Sequence, residues 1–303
     1  MNEAQTRALI PADWAEGVGR LSPDGGPSGA DWLRSLPRLL SSALERWELV
    51  VDGPAMTGWT ALVLPVLRDG EQLALKVVWP HPEAQHEAVA LRYWAGQGAV
   101  RLVAANPADG QLLLERLDNT RDLQDPAMEA EDACAVMGAL LARLHVPAPP
   151  MLVRLEDFLA PHFSRMLREP RVPHRVAQRT TGLARELFAS AGEPVLLHTD
   201  LHFANVLAGG REPWLAIDPK PLAGPAGFEI QPALRNRMTE MGTGASLRWC
   251  VRRRVEVMAE AMGIDLDEAR AWSMVHSGLQ VHWARDSPED ASQQLALMKA
   301  LDT

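Results

Sequence analysis

The chain has 303 residues, of which 47% are hydrophobic and 23% are charged, as in an ordinary globular protein. Thirty basic and 39 acidic residues give a net charge of -9, which argues against a nucleic-acid partner because phosphate backbones are bound through basic surfaces. Two distant cysteines and the lack of a membrane-length apolar run exclude a disulfide scaffold and a transmembrane protein, and predict a cytoplasmic protein.

The first third of the chain is predicted to carry a leading helical arm and an antiparallel sheet. Apolar residues at helical spacing predict a helix from Asp31, its candidate cap, to Trp47. Strands are predicted at 48–51, 57–67, 72–79, 100–104 and 111–117. The Asp69-Gly70 pair predicts a hairpin, and a helix over 82–96 is inserted between the third and fourth strands.

Beyond Asp118 the apolar pattern changes to long helices around a short β-rich island. Apolar stripes at helical spacing run through 137–144 and 251–262. Short strands are predicted at 195–197, 205–207 and 214–217. A sheet-rich part followed by a helical part predicts an α+β fold with two lobes, residues 1–117 and 118–303.

The segment 198–218 carries the clearest chemistry. Asp200 follows an apolar strand, Asn205 comes five residues later, and Asp218 ends the next short strand. Phosphoryl transfer needs a carboxylate to orient the attacking hydroxyl and hard oxygen ligands for magnesium. Asp200, with His198 beside it, fits the first role, and the other two fit the second. The His-x-Asp-x-x-x-x-Asn spacing is that of a kinase catalytic loop, which predicts ATP and Mg²⁺ as cofactors.

A second group predicted to contact ATP is built around Lys76. This lysine lies in an apolar strand, where an ammonium group needs an anion to offset its desolvation. The ATP phosphates and a helix carboxylate would supply that anion. Glu87 is the favoured partner, and Glu83, one helical turn earlier, is the alternative. A solvent-facing lysine on an edge strand is the structural interpretation that stays open.

Three weaker predictions complete the nucleotide site. The turn at Thr57 and Gly58 is predicted to cover the phosphates, although it lacks a glycine-rich pattern and an ordinary turn explains it equally well. Backbone groups of Glu115 and Leu117 are predicted to hydrogen-bond adenine, on the ground of their position alone. Lys220 is predicted either to contact phosphate or to pair with a nearby acid.

These segments together resemble the aminoglycoside/hydroxyurea phosphotransferase family, which includes the streptomycin 6-phosphotransferases. The similarity runs from about Leu62 to Asn236, and its most specific part is the string Ile-Asp-Pro-Lys at 217–220. The resemblance implies a two-lobed protein-kinase-like fold, ATP, magnesium, and transfer of the γ-phosphate to a hydroxyl of a small molecule such as streptomycin or hydroxyurea. It also implies that residues 1–117 bind the nucleotide and that 118–303 carry catalysis and the substrate.

By the same match, Asp200 is the catalytic base, Asn205 and Asp218 are metal ligands, and Lys76 contacts phosphate. The acceptor side departs from the family pattern, because Pro225 stands in place of an acid and Glu229 replaces a shorter one. Glu229, together with His202, is a candidate substrate residue. We therefore expect the departure to affect the identity of the acceptor more than the kinase chemistry.

Two other interpretations stay open. His198, Asp200 and His202 alternate along the chain, so they could share one face of a strand as the His-x-Asp-x-His metal site of a hydrolase. That interpretation leaves Asn205 and Asp218 without a role. The other alternative is a non-catalytic nucleotide-binding protein on the same fold, and the complete set of predicted catalytic residues argues against it. The sequence makes no prediction of the oligomeric state.

Overall fold

The computed structural model describes residues 1, 3–22, 26–284 and 286–302. The chain forms two compact units, residues 1–118 and 119–303. An antiparallel sheet dominates the first unit and helices dominate the second, which confirms the predicted α+β class.

The first unit begins with three helices, α1 (Glu3–Arg7), α2 (Ala12–Gly19) and α3 (Gly29–Arg46). The predicted helix in this region is confirmed as α3, but it begins before Asp31 because Ser28 is the cap. The Ser28 hydroxyl accepts the backbone N–H of Asp31 at 3.1 Å. The apolar face of α3, with Trp32 and Leu36 fully buried, packs in one core with the sheet.

The sheet of the first unit contains β1 (Val50–Val51), β2 (Met56–Thr57), β3 (Ala61–Arg68), β4 (Glu71–Val78), β5 (Leu102–Asn106) and β6 (Gln111–Glu115). Its order is β1-β3-β4-β6-β5, with β2 also on β3, and all pairs are antiparallel. The predicted hairpin turns at Asp69 and Gly70, both at positive φ. The single strand predicted over 57–67 is wrong, because a turn closed by Gly58 N–H on Ala61 O at 2.9 Å separates β2 from β3.

The helix predicted over 82–96 is shorter and divided. Residues Pro82–Ala84 form one turn of 3-10 helix, and α4 (Glu87–Trp94) follows. The helix ends because Ala95 and Gly96 both take left-handed backbone. Glu87 is therefore the first residue of α4.

The second unit contains the helices α5 (Ala130–Leu144), α6 (Leu155–Met166), α7 (His174–Ser190), α8 (Gln231–Leu234), α9 (Ala245–Met262), α10 (Leu266–Trp283) and α11 (Pro288–Leu301). The two apolar stripes predicted from the sequence lie on α5 and α9, which pack closely at Gly138. A Cβ atom at Gly138 would lie 2.6 Å from the Cβ of Ala261, so only glycine permits this approach. None of the described helices is long and apolar enough to cross a membrane.

The chain also forms five short strands: β7 (Asp118–Asp122), β8 (Val195–Leu197), β9 (Val206–Ala208), β10 (Trp214–Ala216) and β11 (Leu222–Gly224). They form a sheet of order β10-β9-β7 and an antiparallel pair, β8 with β11. The loop 198–205 leaves β8 and enters β9, and the loop 217–221 connects β10 to β11. This topology brings the two loops that carry the predicted chemistry side by side.

Candidate active site

Backbone hydrogen bonds join the loops 198–205 and 217–221. Lys220 N–H donates to His198 O, and Ile217 N–H donates to Asn205 O, both at 2.9 Å. Thr199 and Asp218 adopt left-handed backbone, with φ of 59° and 58°. Such a conformation costs a non-glycine residue about 1–3 kcal/mol and persists where the surrounding structure imposes it. The residues on either side of it are therefore held in fixed positions.

Asp200 lies between two cationic side chains. Its Oδ2 is 2.8 Å from Lys220 Nζ, and its Oδ1 is 3.0 Å from Arg235 Nη2. Burial raises the pKa of the Asp200 carboxyl, but Lys220 lowers it. His202 and Arg235 act in the same direction as the lysine, so the pKa lies below its ordinary value. The group is an ionised carboxylate at neutral pH, and 17% of its side chain stays exposed.

Two roles were predicted for Lys220, a contact with phosphate or a pair with a nearby acid. In the structure it pairs with an acid. That acid is Asp200, which the sequence assigns to catalysis. Arg235 is not among the site residues predicted from the sequence, and it lies 35 residues beyond Asp200 and just after α8. No local motif signals this contact, because only the folded chain brings α8 to the loop.

Asn205 and Asp218 lie next to each other across the two loops. The Asn205 side chain is oriented by its Nδ2, which donates to Asp200 O at 2.9 Å. Its carbonyl oxygen is then the atom that faces away from that bond. Asp218 directly follows Ile217, whose N–H is bonded to Asn205 O. An amide oxygen and a carboxylate in adjacent positions are hard ligands that fit Mg²⁺.

His198 is completely buried, and both of its ring nitrogens contact backbone atoms. Its Nε2 is 2.9 Å from Ile217 O, and its Nδ1 accepts the Asp200 N–H at 3.3 Å. Burial lowers the pKa of the imidazole and outweighs the nearby carboxylates, so the ring is neutral. The prediction of a catalytic role is therefore wrong: His198 holds the backbone of Asp200 and is out of reach of a substrate.

The same contacts argue against the hydrolase interpretation. A His-x-Asp-x-His metal site needs the imidazole of His198, and both of its nitrogens are used. In the part of the chain that the structure describes, no three His, Cys, Asp or Glu side chains form a metal-binding group. His202 is half-buried near Asp200, and burial lowers its pKa. Its assignment to the substrate stays a prediction.

Glu229 does not line an acceptor pocket, which corrects the prediction made for it. Its side chain is 1% exposed, and its two oxygens accept backbone N–H groups of His198 at 2.8 Å and Thr199 at 2.5 Å. His145 Nε2 lies 3.5 Å away. Burial raises the pKa of the carboxyl, but His145 and then His198 lower it below its ordinary value. Glu229 is thus a buried anion that holds the start of the loop 198–205.

Pro225 lies away from Asp200. It directly follows Gly224, which pairs with Val195 at the opposite end of the β8–β11 pair from His198. The chain then turns through a 3-10 helix, Ala226–Glu229, before it returns to the loop. The acid missing at this position is therefore not one that would lie beside Asp200.

In the first unit, Lys76 and Glu87 form a buried ion pair. Lys76 Nζ is 2.6 Å from Glu87 Oε1, and both side chains are almost completely buried. β4, which carries the lysine, lies between β3 and β6, so the interpretation as a solvent-facing edge lysine is wrong. Glu83 belongs to the separate 3-10 turn before α4.

The predicted phosphate-covering turn is exposed at Thr57, the last residue of β2, and at Gly58, which follows it. Gly58 O accepts the indole N–H of Trp14 at 2.8 Å, so an N-terminal helix holds this turn. This contact joins residues 44 positions apart, and no sequence pattern predicts it.

The segment predicted to bind adenine is partly occupied by the protein itself. Glu115 N–H donates to Arg101 O at 3.0 Å, and Glu115 Oε1 accepts Arg101 N–H at 2.7 Å. The backbone donor of Glu115 is therefore unavailable to a base, which corrects that half of the prediction. Leu117 lies between β6 and β7, outside both strands.

A buried lysine–glutamate pair that joins an antiparallel sheet to a helix, and a strained loop with an ionised aspartate near an asparagine and a second aspartate, define a small-molecule kinase of protein-kinase-like fold. The chain belongs to the aminoglycoside/hydroxyurea antibiotic resistance kinase family, whose sequence model matches residues 46–287. This confirms the resemblance found in the sequence.

Individual relatives agree with this assignment. The chain is 43% identical over 261 residues to a streptomycin 6-kinase of Streptomyces glaucescens, covering 82% of each chain. It is 45% identical over 261 residues to a hydroxyurea phosphotransferase of Kitasatospora aureofaciens, covering 82% of this chain and 73% of that one. The fold is shared with a choline/ethanolamine kinase family protein of Mesorhizobium loti, at a TM-score of 0.62 and 19% identity over 87% of this chain and 94% of the other.

Proposed function

We propose that this kinase transfers the γ-phosphate of ATP, with Mg²⁺, to a hydroxyl of streptomycin, a related aminoglycoside, or hydroxyurea. The observation that carries the proposal is the environment of Asp200, an ionised and partly exposed carboxylate on the loop that also holds Asn205. The streptomycin 6-kinase and the hydroxyurea phosphotransferase among its relatives support these acceptors. The negative net charge and the low cysteine content support action in the cytoplasm without a nucleic-acid or membrane partner.

In this proposal Asp200 orients the acceptor hydroxyl and takes its proton as the bond to phosphorus forms. A carboxylate with a lowered pKa is a weak base, so its main contribution is orientation, which a loose phosphoryl-transfer transition state requires. His198 and Glu229 act on the loop, because they hold its backbone and do not reach the reacting atoms.

Asn205 and Asp218 would hold the magnesium ion. When bound, the ion supplies charge neutralisation to the phosphates. The orientation of the Asn205 amide by Asp200 O and the fixed backbone of Asp218 support this assignment. Both residues offer oxygen atoms, the ligands that Mg²⁺ prefers.

In the first unit, Lys76 would bind the ATP phosphates, with Glu87 holding the ammonium group in position. The exposed turn at Thr57 and Gly58 would cover the phosphates. The backbone of Leu117 and the carbonyl group of Glu115 would bind the adenine. Under this proposal residues 1–117 bind the nucleotide, and residues 118–303 carry catalysis and the acceptor site.

The experiment that tests the proposal measures ADP release with Mg-ATP across streptomycin-type antibiotics, hydroxyurea, sugars and amino alcohols. Asp200→Asn should keep ATP binding and lose about 10²–10⁴-fold in turnover, because it removes the group that accepts the proton. Asp267→Asn, at a side chain that is 91% exposed, is the matched control and should leave turnover unchanged. Unchanged turnover in Asp200→Asn would refute the assignment.

A further inference from the structure

Arg235 reaches the catalytic carboxylate and keeps most of its hydrogen-bonding capacity. In the part of the chain that the structure describes, its guanidinium donates one hydrogen bond, from Nη2 to Asp200 Oδ1 at 3.0 Å. A guanidinium has five N–H donors in a fixed planar fork. One third of the side chain is exposed, so the other donors can bind a molecule that lies beside Asp200.

The backbone on both sides of Arg235 is anchored. Arg254, which is 3% exposed, donates from Nη1 to Ala233 O at 3.2 Å and to Asn236 O at 2.5 Å. The Asn236 side chain in turn accepts Phe203 N–H, within the catalytic loop, at 3.3 Å. The guanidinium of Arg235 is therefore presented by a fixed element, and little conformational entropy is lost when it binds a ligand.

The two cationic side chains that contact Asp200 come from different segments of the chain. Lys220 is two residues after Asp218, a proposed metal ligand, and it takes the Oδ2 atom. Arg235 comes from the end of α8, which carries no other predicted site residue, and it takes the Oδ1 atom. Lys220 therefore reaches Asp200 from the loop that holds Asp218, whereas Arg235 reaches it from outside both loops of the site.

We propose that Arg235 is a specificity-determining residue that binds an oxygen atom next to the reacting hydroxyl of the acceptor. The acceptor is then a molecule whose reacting hydroxyl has a carbonyl or hydroxyl oxygen beside it and no cationic group there, because a cation would face Arg235 as well as Lys220. Hydroxyurea has this chemistry, whereas streptomycin is a guanidinium-bearing polycation. The inference rests on the proposed function and selects between its acceptors.

The test compares binding of hydroxyurea and streptomycin to the full-length protein with Mg-ADP, by isothermal titration calorimetry. Wild type should bind hydroxyurea, and Arg235→Met should raise the Kd for hydroxyurea at least tenfold while the Kd for streptomycin stays equal or falls. Arg235→Lys, which keeps a charge and donors, should restore part of the affinity. Arg185→Met, at an exposed arginine of α7, is the matched control.

Steady-state kinetics distinguish acceptor binding by Arg235 from a purely structural role, because only the first changes KM for the acceptor alone. If Arg235 binds the acceptor, Arg235→Met raises KM for hydroxyurea and leaves KM for ATP and the melting temperature unchanged. An equal loss with both acceptors, or a wild type that binds hydroxyurea no better than Arg235→Met does, would overturn the inference. Failure of the proposed function is separate, because it would appear as a lack of ADP release across the whole panel while the binding comparison still gives its answer.

Discussion

Replacement of Glu229 by glutamine should loosen the catalytic loop without changing the volume of the side chain. The carboxylate is buried, and its two oxygens accept the N–H groups of His198 and Thr199. In the glutamine variant one of these oxygens becomes an NH₂ group. One backbone N–H would then face a donor and lose its acceptor in a place that water cannot reach.

The magnitude follows from these two contacts. A hydrogen bond to a charged group contributes about 1.5–3 kcal/mol, and a buried donor without an acceptor costs about 1–3 kcal/mol. The variant avoids part of the cost of burying a charge, so we expect the free energy of unfolding to fall by about 2–4 kcal/mol. Thr199 directly precedes Asp200, so a shift of about 1 Å in the loop should lower kcat about 10²-fold.

The pH dependence gives a second signature of Glu229. Its folded pKa lies below the ordinary value of 4.5. The charge therefore contributes stability that is fully present above the pKa of the unfolded state and is lost as the pH falls through the folded pKa. The glutamine variant should lack this part of the acid-induced destabilisation.

Urea unfolding followed by tryptophan fluorescence measures the stability, and ADP release measures kcat. Glu186→Gln is the control, because it makes the same change from carboxylate to amide at an exposed position of α7. A Glu229→Gln variant with wild-type stability and wild-type kcat would refute the reasoning, since it would mean that the two backbone N–H groups do not need the carboxylate.

Two further predictions concern other buried charges. Lys76→Met should lower the free energy of unfolding by about 3–5 kcal/mol and raise KM for ATP, because it leaves the Glu87 carboxylate buried without its partner; thermal unfolding and kinetics measure both. Burial lowers the pKa of His276 to about 4, so stability should be complete above about pH 6.5 and should fall by about 3 kcal/mol as the pH drops towards 4. His276→Gln, which keeps a donor for Phe228 O, should flatten this dependence, and an equally steep decline would count against it.

The general architecture was predictable because it follows from local patterns. Alternating apolar residues indicated the sheet of the first unit, and the Asp69-Gly70 pair indicated the hairpin in that sheet. Apolar residues at helical spacing indicated the helices α5 and α9 of the second unit. The errors occurred where one short contact overrides a period, as at Gly58, whose N–H closes a turn inside the predicted strand. Capping was similar: Ser28 begins α3, although Asp31 had the same chemistry.

The loop 198–205 shows which properties of the site could not be predicted from the sequence. The spacing from Asp200 to Asn205 and Asp218 indicated the class of chemistry, because residue type and order suffice to recognise a carboxylate followed by two residues that offer oxygen atoms. Residue type and order could not show which of these side chains are buried. Only the tertiary structure turned His198 and Glu229 inward as supports of the loop, since burial depends on what packs around a residue.

The sequence by itself therefore determined the family and the fold class, and it supplied the residues that we propose organise phosphoryl transfer. Only the tertiary structure decided which cations contact Asp200. Lys220 lies in a recognisable motif, yet its partner was open, and Arg235 had no signal at all. Contacts between residues distant in the chain depend on how helices and loops pack, and it is such a contact, between the end of α8 and the loop after β8, that places Arg235 beside Asp200.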